Sequence, residues 1–111
     1  MFKEIMNLLK GNAEEASRNA NIINIYSIYD KTSKLFGNVF VNLNDDIVKR
    51  ELKQIIYHDK THLYSTEPEN FICFTLGYYN MYDGEICPNL TPLFDLSELK
   101  GNSTNENANT L

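Results

Sequence analysis

The stretch from Asn44 to Tyr57 limits what this chain can fold into more than any other. Asn44 is a good helix N-cap, and Asp45 and Asp46 fall in the first turn, where carboxylates favour the positive end of the dipole. Val48, Leu52, Ile55 and Ile56, with Ile47 at the border, then recur on one side as a buried stripe. Lys49, Arg50 and Lys53 project from the outer flank, and Leu43 and Val48 are placed for a hydrophobic staple. A helix with one apolar stripe must lay it on a second layer, and the segments on both sides read as strands.

Upstream, Ile22 to Tyr29 is β-branched and aromatic with apolar residues on both faces, which predicts a well-covered strand. Asp30-Lys31-Thr32-Ser33-Lys34 is a polar turn, and Phe36 to Leu43 reads as a second strand with Val39, Val41 and Leu43 on one face. Downstream, residues 58–68 read as a polar loop closed by Pro68. Asn70 to Tyr79 is a further strand, and Tyr82-Asp83-Gly84 turns the chain into Ile86 and Cys87. Pro88 and Pro92 limit regular pairing beyond that point. The order β-β-α-β-β predicts an α+β fold: a small antiparallel sheet with one amphipathic helix packed on one face.

A chain of 111 residues holds one domain, placed here at residues 22–99. Phe2, Ile5, Met6 and Leu9 have helical spacing, so the extension over residues 1–21 is expected to contain a short helix. Residues 100–111 carry no apolar pattern and are expected to be a disordered tail.

Ten basic residues stand against 15 acidic ones, for a net charge of −5, so non-specific affinity for nucleic acid should be weak unless the bases cluster. No apolar run is long enough to span a membrane. The start lacks the long apolar core of a signal peptide, and the protein is expected to stay in the cytoplasm where it is made. Cys73 and Cys87 lie in apolar stretches and, not being opposite across a hairpin at 80–84, read as buried, inert thiols of a reducing compartment.

The sequence offers no reactive cluster. His58 and His62 are the two histidines, both in the polar loop, and no nucleophile elbow, phosphate-cradling glycine loop or dinucleotide fingerprint occurs. Cys73 and Cys87 are too far apart to complete a zinc set with the histidine pair. No catalytic residue, metal or cofactor is expected. The basic residues offer more. If the flank of Lys49, Arg50 and Lys53 meets the turn of Lys31 and Lys34, five positive charges stand beside Tyr26, Tyr29 or Phe36. Such a patch holds phosphates while an aromatic ring stacks on an unpaired base. The same charges also read as a solvated helix face, and Phe71, Phe74, Tyr78 and Tyr79 as core before binding surface.

The ordered run Tyr29-Asp30, Phe36 to Phe40, Asn44-Asp45 and a helix with Arg50 near its middle resembles the small nonstructural proteins of gokushovirus-type microphages, of the Microviridae. Glu67-Pro68-Glu69-Asn70-Phe71 is similar to that family's His-Pro-Glu-Asp-Tyr. Leu76-Gly77-Tyr78-Tyr79-Asn80 with Asp83-Gly84-Glu85-Ile86 looks like its Ile-Gly-Glu-Phe-Asp and closing Thr-Gly turn. The resemblance covers about residues 23–87. Asn38-Val39 departs from a usual proline, and Thr75 from a frequent arginine, which removes one phosphate contact. The resemblance implies a non-enzymatic protein of the host bacterial cytoplasm, absent from the virion. Its role would be to bind single-stranded DNA, the replication complex or the procapsid, and so turn duplex replication toward single-stranded genome synthesis and packaging. The alternative is a small homo-oligomeric interaction module with no nucleic-acid contact.

Overall fold

The computed structural model describes residues 20–100; the short helix expected near the N-terminus and the tail from 101 onward lie outside the described residues. The β-branched run extends as strand β1 (Ile22–Asp30), and two short strands, β2 (Leu35–Phe36) and β3 (Phe40–Asn42), return antiparallel along one side of it. Helix α1 (Asp45–His58) follows. Helix α2 (Leu63–Thr66) and a 3-10 turn at Pro68–Asn70 then lead to β4 (Phe71–Asn80) and β5 (Ile86–Asp95). The five strands form one antiparallel sheet, with β2 and β3 on one edge, then β1, β4 and β5. The expected order stands, with the second strand divided in two. The ladder lapses after Phe36, where Gly37 N–H donates to Ile28 O at 2.8 Å and Ser27 Oγ donates to Gly37 O at 2.9 Å.

Helix α1 starts where its capping residue dictates. Asn44 Oδ1 accepts from Ile47 N–H at 2.9 Å with its own backbone extended. Val48, Leu52 and Ile56 are buried against Tyr26, Ile28, Phe71, Cys73 and Phe94 of the sheet, and Ile55 packs at the edge of that core. Each fully buried aliphatic side chain of this kind contributes about 1.5–3 kcal/mol. Leu43 stays exposed while Val48 turns into the core, so the expected staple does not close. The expected polar loop also holds more structure than its composition suggested. His62 Nδ1 accepts from Tyr64 N–H at 3.0 Å to cap α2, and the Tyr64 ring meets Phe71 edge-on at 4.9 Å.

The last segment of the core had a legible but unread signal. Asp95-Leu96-Ser97-Glu98 is a capping box: Asp95 Oδ1 accepts from Ser97 N–H at 3.0 Å and Glu98 Oε2 accepts from Asp95 N–H at 2.9 Å. This box opens a helical turn over 96–100, here α3, whose Leu96 and Leu99 are among the most buried side chains. Pro88 and Pro92 sit within β5, opposite Gly77 and Phe74. β5 is an edge strand, and the register slips between Cys73 and Phe74 and between Thr75 and Gly77 absorb the missing donors.

The pleat divides the sheet into unlike faces. Tyr26, Ile28, Phe71, Cys73 and Phe94 point toward the helices. By alternation Ile23, Ile25, Tyr29, Ile72, Phe74 and Tyr79 point the other way, together with Phe36, Val41 and Ile86 opposite them in the ladder. No helix among the described residues is long and apolar enough to cross a membrane.

The two cysteines are unlike. Cys73 lies opposite Phe94, fully buried, and burial, aided by the Asp45 carboxylate, pushes its thiol up to about 12. Cys87, expected to be buried, is instead half-exposed opposite Tyr78, with its S–H donating to Glu85 Oε1 at 3.3 Å. One thiol should therefore react with a disulfide reagent in the native protein at pH 8 and the second only after denaturation. Two equivalents titrating rapidly without denaturant would contradict this packing.

Candidate nucleic-acid interface

Helical spacing places Lys49, Arg50 and Lys53 along one side of α1, about 60° to 160° around the axis from its buried stripe by the 100° turn per residue. Arg50 is exposed, whereas Lys49 and Lys53 are half-buried at the flank. The Lys49 ammonium lies 5.4 Å from the centroid of the Phe94 ring, so its stem covers the β5 side of the core while its charge faces water. Two further lysines, not anticipated from the sequence, extend the basic flank. Lys60 Nζ lies 5.4 Å over the Tyr57 ring, and Lys100 Nζ donates to Ser65 O at 3.1 Å. Ser65 in turn donates to Ile56 O at 3.0 Å, which ties this end of α1 to α2 and to α3. Tyr57 Oη also reaches Leu99 O at 3.5 Å. A lysine two residues beyond a helix end was a readable signal for Lys60; nothing local marked Lys100.

The turn of Lys31 and Lys34 does not join that flank as expected. Asp30 Oδ1 accepts from Asn70 Nδ2 at 2.8 Å and from the N–H groups of Thr32 at 2.9 Å and Ser33 at 3.3 Å. Those bonds, the Asn70 one foremost, hold its carboxyl below the usual carboxylate range. They also fix the turn. Lys31 Nζ donates to Glu69 O at 2.7 Å and to Asp95 Oδ2 at 3.2 Å, so its charge is largely answered within the protein. Burial works to raise Asp95, but bonds from Ser97 and Lys31 outweigh it and bring its carboxyl down. Lys34 is exposed at the β2 side of the turn with φ 61°, a left-handed conformation that a non-glycine residue adopts at some cost.

The two tyrosines part company as well. They are three residues apart in a strand, and an odd spacing sends side chains to opposite faces. Tyr26 is fully buried beneath α1, stacked on Phe40 at 5.6 Å, and its hydroxyl donates to Asp45 Oδ1 at 2.7 Å. Burial first, then that bond, raises its hydroxyl pKa. No base can stack on it. Tyr29 lies on the face turned away from the described helices, 4.9 Å from Phe36 and 6.0 Å from Phe74. The structure thus keeps the basic flank of α1 and separates it from Tyr26, beneath the helix, and from Tyr29 and Phe36, paired on the opposite face of the sheet.

His58 is exposed at the end of α1, His62 is occupied in capping α2, and no three of His, Cys, Asp and Glu converge among the described residues. Between the β1–β2 turn and α2 lies an open cleft lined by apolar Ile28, Leu35, Phe36, Leu63, Tyr64 and Phe71 and by polar Asp30, Ser33 and His62. Its wall is largely apolar, and Ser33 makes no hydrogen bond to His62, whose Nδ1 is taken by the Tyr64 N–H.

Residues 23–99 match the sequence model of a family described as Phage ORF5 protein. The chain belongs to that family. The match runs from the second residue of β1 to Leu99, so the unit shared across the Phage ORF5 family is the folded unit itself, α3 included. No curated protein and no solved structure matches this Phage ORF5 family member.

Proposed function

We propose that this phage protein is a non-enzymatic nonstructural factor of Microviridae-type infection. It binds single-stranded DNA or the replication complex in the host cytoplasm and helps turn duplex replication toward single-stranded genome synthesis and packaging into the procapsid. The observation that carries the reading is the flank of Lys49, Arg50 and Lys53 on the outer side of α1, in a chain of the Phage ORF5 family. Lys60 and Lys100 lengthen the same side. With a net charge of −5, affinity has to come from this local concentration of bases and should fade with salt.

The test is fluorescence anisotropy with a labelled single-stranded oligonucleotide at low and moderate salt. Changing Lys49, Arg50 and Lys53 together to Ala should weaken binding at least about tenfold and flatten the salt slope by about two, three phosphate contacts each being worth roughly 0.7 on single strands. Unchanged affinity in the triple variant removes the flank from the mechanism. A second reading, a homo-oligomeric module that touches no nucleic acid, is favoured by one observation, the apolar sheet face opposite α1.

A further inference from the structure

We propose that the face of the sheet turned away from the described helices pairs with the same face of a second copy of this chain. The helices among the described residues all lie on the other side, because Val48, Leu52, Ile56, Tyr64, Leu96 and Leu99 pack on Tyr26, Phe71 and Phe94. What remains is a continuous row of apolar side chains from four neighbouring strand positions. Phe36 is 42% exposed, Val41 51% and Ile86 62%, around a centre of half-buried Tyr29 and Phe74. Phe36 and Phe74 meet edge-on at 5.0 Å, so the aromatic centre is preformed.

Three features point to a second copy as occupant. The first is charge. The chain carries −5, yet the face itself bears no ionised group except Asp95 at one corner, already held by Lys31 at 3.2 Å. Two such faces meet without repulsion, whereas the cation that phosphates would find at that corner, Lys31, is already engaged by Asp95. The second is size. Three strands of nine or ten residues, with the two- and three-residue β2 and β3 along one edge, about 4.8 Å apart and at about 3.3 Å per residue, give a flat footprint of roughly 540 Å² before side-chain relief, of the same order as the ~800 Å² per partner of stable complexes. The third is the extent of the shared unit. The family match over residues 23–99 contains every strand residue named on this face, so the face belongs to the part of the chain common to the family. Two twisted sheets laid face to face at about −30° bury such rows in a common core. Face pairing leaves the basic flank of α1 outward on both copies, so this inference stands or falls separately from the DNA reading.

The experiment is sedimentation equilibrium on the full 111-residue chain across micromolar concentrations. The wild-type chain should show twice the mass of one copy. Val41→Glu with Ile86→Glu, both exposed in the single copy and so harmless to its fold by circular dichroism, should weaken association at least 100-fold. Leu63→Glu, equally exposed but on the helix side, should leave it unchanged. A monomer at every concentration, or a dimer indifferent to the Val41 and Ile86 pair, overturns the proposal. A monomer whose tyrosine emission is quenched by oligothymidylate, with the quench lost in that pair, would assign the face to stacked bases and overturn it equally.

Discussion

Gly77→Ala is expected to lower stability by at least about 3 kcal/mol and to leave little folded protein at 37 °C, a loss comparable with the whole margin of a small domain. The cause is local and geometric. Gly77 has φ 137°, a conformation that side chains rarely adopt. A Cβ there would stand 2.1 Å from the Cys87 carbonyl oxygen and 2.9 Å from Pro88 Cα, both backbone atoms of the paired strand. Neither can yield without opening the β4–β5 ladder, and that ladder leads to Phe94 and the α3 turn that closes the core. Gly84 provides the control. It also has a positive φ, 79°, but nothing lies within 4 Å of a Cβ, so Gly84→Ala should cost about 1–2 kcal/mol from backbone strain alone. Urea denaturation of both variants separates the two effects. If Gly77→Ala lost no more than Gly84→Ala, the close approach of β5 would not be what holds this glycine in place.

That glycine also shows where sequence reasoning stopped. Local signals with a fixed offset were legible: the Asn44 cap, the Val48-Leu52-Ile56 stripe, the Asp30 turn and the alternation that made the sheet. A lone Gly in a strand reads equally as a bulge or as a weak point, and it takes the register to show that Leu76 is bulged and Pro88 sits opposite. The basic patch failed for a related reason. Lys31 and Lys49 both reach the end of β5, but Lys31 meets Asp95 while Lys49 covers Phe94, and pairings 64 and 45 residues apart leave no periodic trace. Phe94 and Asp95 are consecutive along β5 and so point to opposite faces, and the two charges do not add. Long-range partners decide which surface lysines remain open to a ligand. The Asp95–Glu98 capping box was different, since its spacing is local; two prolines upstream made the segment look irregular and hid it.

Tyr26 gives the sharpest contrast between the two roles an aromatic residue can take in such a protein. As a stacking platform its loss would weaken oligonucleotide binding and spare the fold; as a core residue the reverse should hold. Its ring is fully buried, 5.6 Å from Phe40, and its hydroxyl donates a hydrogen bond to Asp45 Oδ1 at 2.7 Å in the first turn of α1. Tyr26→Ala should therefore cost about 3–5 kcal/mol, the usual range for emptying an aromatic site in a core. Tyr26→Phe keeps the ring and removes the bond from strand to helix, costing about 0.5–1.5 kcal/mol, because Asp45 is accessible enough for water to replace the lost donor. Thermal melts rank the three chains. Anisotropy on the folded Tyr26→Phe protein should return wild-type affinity for single-stranded oligonucleotide. A Tyr26→Phe variant that keeps its melting temperature but binds tenfold more weakly would move this tyrosine out of the core and back to the surface, and the helix-on-sheet packing drawn from it would have to be given up.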